Sequence, residues 1–90
     1  MAVKVRVPGS LRKWFDGKDV VTCTGSNIAE CIEDLNVAHP GICDRLIDEE
    51  GATGRVLIFL NGDNIGSLNG LQTTVGDGDE ISIIPLAAGG

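Results

Sequence analysis

Only one stretch of this 90-residue chain carries apolar side chains at sustained helical spacing, and that restricts the folds open to it. Ile28, Cys31, Ile32 and Leu35 recur at i, i+3, i+4 and i+7 and make a single apolar stripe, with Glu30, Glu33 and Asp34 facing away. Ser26 or Asn27 can cap the start, and Asn27 with Glu30 three positions on resembles a capping box. Pro40-Gly41 stops the helix. Ile42 to Ile47 adds a short helical turn, with Ile42 and Leu46 inward. One main helix has no comparable helix to pack on, so its stripe must be covered by a sheet.

The strands for that sheet are legible. Val3, Val5 and Val7 alternate with Lys4 and Arg6, a half-buried strand from Ala2 to Pro8. Asp16-Gly17 marks a hairpin within a longer loop, and Lys18 to Thr24 forms the second strand. Asp48 to Gly54 reads as an exposed loop. Val56 to Leu60 is continuously apolar and closes on the turn signal Asn61-Gly62, so one face meets the core and the other is either covered or a docking patch. Leu68 to Val75 is irregular, with Leu71 and Val75 as core contacts. Gly76-Asp77-Gly78-Asp79 is a tight acidic turn before the last strand, Glu80 to Ile84, whose Ile81 and Ile83 share a face. This order predicts an α+β roll, a mixed sheet on one main helix, with the first and last strands as parallel neighbours.

Composition narrows the function. Ninety residues make one domain, and 42% hydrophobic content suits a small globular core. With Trp14, Phe15 and Phe59 as the only aromatics, aliphatic residues fill that core and no platform for stacking bases is expected. A net charge of −6 argues against nucleic acid and against an anionic membrane surface; it either maintains solubility or suits docking on a basic partner. No run approaches the roughly 18 apolar residues of a spanning helix, and the amino-terminal alternation is unlike a signal peptide, so the cytoplasm is the expected location. Cys23, Cys31 and Cys43 are odd in number and widely spaced, without a C-x-x-C pair. Free thiols fit that pattern and no metal site is expected. His39 is a helix-end residue without partners for a catalytic triad.

The chain closes Pro85-Leu86-Ala87-Ala88-Gly89-Gly90. Glycine lacks a Cβ, so other groups can approach its backbone closely, and paired glycines can enter a slot too narrow for other residues. A frayed terminus is the plainer reading. Pro85 lacks an N–H and should end the strand ladder and release the tail, dividing the chain into a folded body, 1–84, and a flexible tail, 85–90.

Four stretches together resemble the MoaD/ThiS family of ubiquitin-like sulfur carriers. They are the amino-terminal strand leading to Leu11-Arg12, the apolar strand closing on Asn61-Gly62, the run Gly76-Asp77-Gly78-Asp79-Glu80-Ile81, and the tail from Pro85 to Gly90. The resemblance implies a β-grasp fold. It also implies that the chain is a protein co-substrate and not an enzyme. An adenylating enzyme of the ThiF/MoeB type, using ATP, activates Gly90, and sulfur then replaces AMP to give a thiocarboxylate. No permanently bound cofactor is implied. Gly89, Ala88, Ala87 and Leu86 would thread into the partner, and Ile84, Ile58 and Phe59 would form the docking surface beside them.

The resemblance leaves three acceptors open: a cysteine-synthase-like enzyme, the large subunit of a molybdopterin synthase, and, third because its carriers are usually shorter, the enzyme of the thiamin-thiazole branch. The segment Pro40 to Gly54, the Ile83-Ile84-Pro85 strand end and Ala87-Ala88 look closer to the cysteine-synthesis branch. Ala87 departs from the valine often found there in the family. A ubiquitin-like modifier joined through Gly90 to lysines, and a permanent subunit of a two-protein enzyme, are the alternatives. The second would need an apolar interface typically beyond about 2,000 Å².

Overall fold

The computed structural model describes residues 2–48, 51–52 and 56–85. Strand β1, Val3–Arg6, pairs antiparallel with β2, Val20–Cys23, and parallel with the last strand. Helix α1 spans Ile28–Ala38 and a short α2 spans Ile42–Leu46. Two-residue strands β3, Ile47–Asp48, and β4, Gly51–Ala52, pair with each other. Then come β5, Val56–Leu60, β6, Asp63–Asn64, and β7, Glu80–Pro85. The main sheet runs β2-β1-β7-β5-β6, so the last strand lies at its centre. This is the β-grasp arrangement, with α1 laid across one face.

The expected strands, their parallel pairing and the main helix are all present. Val3, Val5, Ile81, Ile83, Val56 and Ile58 form the buried side of the sheet, and Ile28, Cys31, Ile32 and Leu35 bury the helical stripe against it. Asn27 caps α1, its Oδ1 accepting from the Glu30 N–H at 2.8 Å. The return bond goes one residue further back than in the usual box. The Glu30 carboxylate accepts from both the backbone N–H and the hydroxyl of Ser26, at 2.8 and 2.5 Å. These bonds hold the Glu30 carboxyl below the usual carboxylate range.

Four details correct the sequence reading. The segment Gly9–Phe15 is a 3-10 helix that drives Phe15 fully into the core, so the core is not wholly aliphatic. The loop expected from Asp48 to Gly54 contains part of the β3–β4 pairing. Two short 3-10 turns, Ile65–Ser67 and Gly70–Gln72, bring Ile65 into the core and order a region that lacks periodicity in sequence. Finally, β7 runs one residue further than expected, with Pro85 opposite Val56. The Asn61 N–H bonds the Glu80 carbonyl, so by alternation residues 80, 82 and 84 turn their backbone groups toward β5. The missing N–H of Pro85 therefore points to the other side, where β1 has already ended at Arg6.

Candidate functional site

The site is assembled where β7 delivers the chain to Pro85. A central strand is held on both sides, by β1 in parallel and by β5 in antiparallel pairing, which gives whatever follows a fixed origin. Two turns anchor the start of that strand. Asn61 and Gly62 both adopt positive φ, 50° and 91°, the conformation that a two-residue hairpin of this twist requires. In the acidic turn, the Asp79 carboxylate accepts from the Gly76 N–H at 2.8 Å and from the Asn61 amide at 3.2 Å. Asp77 accepts from the Ala2 N–H at 2.8 Å, and Glu80 pairs with Arg6 Nε at 3.1 Å. These carboxylates have local structural partners that account for their placement.

The outer face of the sheet carries the docking candidates. Ile84 is 42% exposed and lies opposite the half-buried Leu57, while half-buried Phe59 lies opposite Ser82. The three apolar side chains form a narrow patch at the exit of β7. Ile58 does not belong to it. It is 1% exposed and sits opposite Ile83 in the core. Adjacent residues of one strand point to opposite faces, so Ile58 and Phe59 cannot share a surface. Leu57 takes the place expected of Ile58, and the parity of the strand relative to Phe59 was the signal for it. Leu86, Ala87, Ala88, Gly89 and Gly90 lie outside the described residues.

Burial disfavours the thiolate form at all three cysteines. Burial, reinforced by the neighbouring Cys31, pushes the Cys23 thiol up to about 12. Burial likewise raises Cys31 and Cys43, and the Asp44 and Glu33 carboxylates add to the effect at Cys43. Among the described residues no three His, Cys, Asp or Glu side chains are grouped to hold a metal ion. No helix among them is long and apolar enough to cross a membrane. His39 ends α1, with its ring tilted 54° against Phe15 at 4.6 Å. The described body thus supplies a scaffold and a narrow apolar surface, without an assembled acid–base or nucleophilic centre.

Comparison with known proteins shows the family. The model of the ThiS family matches residues 5–90. The sulfur carrier protein CysO of Mycobacterium tuberculosis is 36% identical over 93 residues, covering 100% of both chains. The crystal structure of the Amycolatopsis orientalis BexX/CysO complex contains a chain that superposes with a TM-score of 0.91 at 34% identity, covering 98% of this chain and 99% of that one. Small archaeal modifier protein 1 of Methanosarcina acetivorans superposes with a TM-score of 0.82 at 30% identity, covering 99% and 96%.

Proposed function

We propose, from the premise that this chain belongs to the ThiS family of ubiquitin-like sulfur carriers, that Gly90 is its working residue and carries sulfur as a thiocarboxylate. The observation that supports this most is the placement of β7. The best-anchored strand of the sheet leads straight to Pro85, beside an exposed apolar patch, with Leu86 to Gly90 still to come. Five residues reach about 17 Å when extended. That suits a probe sent from a rigid body into an enzyme pocket.

The chemistry follows from the carboxylate. An α-carboxyl group has a pKa near 3.3–3.7 and is ionised at neutral pH, where it is a poor electrophile. A ThiF/MoeB-like adenylating enzyme would join a Gly90 oxygen to the α-phosphorus of ATP and release pyrophosphate. A sulfide-type nucleophile would then attack the carbonyl carbon, form the C–S bond and expel AMP. Gly89 and Gly90 let the backbone pass close to the nucleotide without a side-chain clash. Ala87 and Ala88 keep the tail thin behind them.

The acceptor we infer is a cysteine-synthase-like enzyme, because CysO proteins match the chain over its whole length. A molybdopterin synthase large subunit is the alternative acceptor. The patch of Ile84, Leu57 and Phe59 is narrow, which favours brief docking over a permanent two-subunit interface. Conjugation to lysines is the second reading, favoured by the likeness to the archaeal modifier.

Intact mass spectrometry after incubation with an activating enzyme, ATP and a sulfide source tests the proposal. Replacement of one oxygen by sulfur is expected, abolished by deletion of Gly90 with the fold unchanged. Large protein adducts without that replacement would favour the modifier reading. An unaltered mass would refute both.

A further inference from the structure

Arg12 lies outside the chemistry proposed for the tail, yet it lines a cleft at the tail's root. Strand β1 ends at Arg6, opposite Ser82, while β7 continues to Pro85. Continuing the register would set Pro8 opposite Ile84. Neither Pro8 nor Pro85 has an N–H, so the parallel ladder cannot go on and the strands part. The gap is a cleft of about 310 Å³, with Arg6, Arg12, Pro8, Asp19, Ser82 and Ile84 among its walls. The 3-10 segment Gly9–Phe15 folds back so that Arg12 Nε donates to the Val7 carbonyl at 3.3 Å. That bond holds the guanidinium at the cleft and leaves its terminal N–H groups without a protein partner among the described residues. Arg6 also lines the cleft and is paired through Nε with Glu80. Asp19 is the one carboxylate on the lining, and no ion pair joins it to either arginine among the described residues.

We propose that this cleft receives a carboxylate side chain of the protein that takes up the tail, with Arg12 as its main partner. The inference rests on the carrier reading and adds the chemistry of the docking contact. Any protein that encloses residues 86–90 must lie against the surface where β7 ends, and Ile84 is common to the apolar patch and to this cleft. Two of the seven basic residues of a chain with net charge −6 are gathered here. An acidic side chain is repelled by the excess of negative charge elsewhere and accommodated at this point, which fixes the orientation of docking as well as strengthening it. The planar fork of Arg12 suits a carboxylate. The phosphates of ATP would be required at the far end of the tail, up to about 17 Å from Pro85, and not at its root.

Three full-chain variants test this with an adenylating enzyme, reading KM for the carrier and kcat by ATP–pyrophosphate exchange. Arg12→Gln keeps a side-chain N–H for the Val7 carbonyl and loses the charge. Arg12→Glu inverts it. Lys13→Glu makes the same change in net charge from the next residue, which does not line the cleft. KM should rise roughly tenfold for Arg12→Gln and further for Arg12→Glu, with kcat unchanged and Lys13→Glu within about twofold of wild type. Added salt should narrow the gap. If wild type is adenylated and the Arg12 variants match Lys13→Glu, the cleft proposal is wrong and the carrier reading stands. If wild type is not adenylated, both fall. Orthophosphate alone shifting the Arg12 side-chain NMR signals, with KM unaffected by Arg12→Gln, would make the cleft a free-anion site. Loss of self-association in Arg12→Gln at unchanged KM would make a second copy the occupant. Either result overturns the proposal.

Discussion

Ile84 lies directly opposite Leu57 on the outer face of the sheet, one residue along from the buried pair Ile83 and Ile58. A single step along β7 thus separates a side chain available to a partner from one committed to the core. Ile84→Asp should leave stability within about 1 kcal/mol of wild type, because a surface position loses little packing. It should raise KM with the tail-accepting enzyme. Ile83→Ala should cost about 2–5 kcal/mol by emptying core volume, with docking unaffected in whatever fraction stays folded. Urea titration and the exchange assay, run on both variants, separate the two roles.

The cap of α1 gives a second prediction. Asn27→Ala removes the acceptor for the Glu30 N–H and should cost about 1 kcal/mol in denaturant unfolding. Glu30 contributes through ionisation. Its folded pKa lies below the ordinary value of 4.5 because Ser26 bonds the charged form. Stability from this group is therefore present above about that value and lost as pH falls through the depressed folded one. Glu30→Gln should flatten the acid limb of the stability profile there relative to wild type.

Periodicity in the sequence makes most of this fold readable. The stripe from Ile28 to Leu35 and the alternation at Val3, Val5 and Val7 are each set by one rule, and both hold. The failures occur where two rules are needed together. Ile58 and Phe59 are both apolar in a run without alternation, so composition cannot assign faces; only registry with Ile83 and Ile84 does. Phe15 and Ile65 reach the core from 3-10 segments that each bury only that one side chain, so neither shows an apolar period. The cleft at Arg12 depends on the parting of β1 from β7, a consequence of two prolines that are distant in sequence and close in register.

Gly25 is a close-approach glycine, and this supports a third prediction. A Cβ built there would meet the Cys31 nitrogen at 2.8 Å and Glu30 atoms at 2.9 and 3.0 Å, two of these three contacts being backbone of the first turn of α1. Backbone cannot swing aside as a long side chain can. Gly25→Ala should therefore destabilise by about 1–3 kcal/mol despite its gain in intrinsic rigidity. Gly9→Ala is the control, since nothing lies within 4 Å of its Cβ position, and it should stay within about 0.5 kcal/mol of wild type. Thermal melts of the pair, compared with wild type, decide the matter.

The thiols provide a prediction with a bearing on sulfur chemistry. The proposed function takes the chain through an activated acyl intermediate, which its own nucleophiles would endanger, and a thiolate is the strongest of these. Cys23 and Cys31 are 3% and 0% exposed and Cys43 is half-buried, and all three titrate above the ordinary thiol value of 9.0. At neutral pH the folded protein should react slowly with iodoacetamide. Cys43 should be modified first, and Cys23 and Cys31 only at rates limited by opening of the fold. The raised folded value of Cys23 has a definite sign for stability. Its contribution is fully present below 9.0 and is lost as pH climbs toward about 12, because the unfolded chain ionises first. Cys23→Ala should remove part of that alkaline loss while costing core packing at neutral pH. Alkylation of Cys23 at the rate of a free peptide thiol in the native protein would contradict the burial on which this rests.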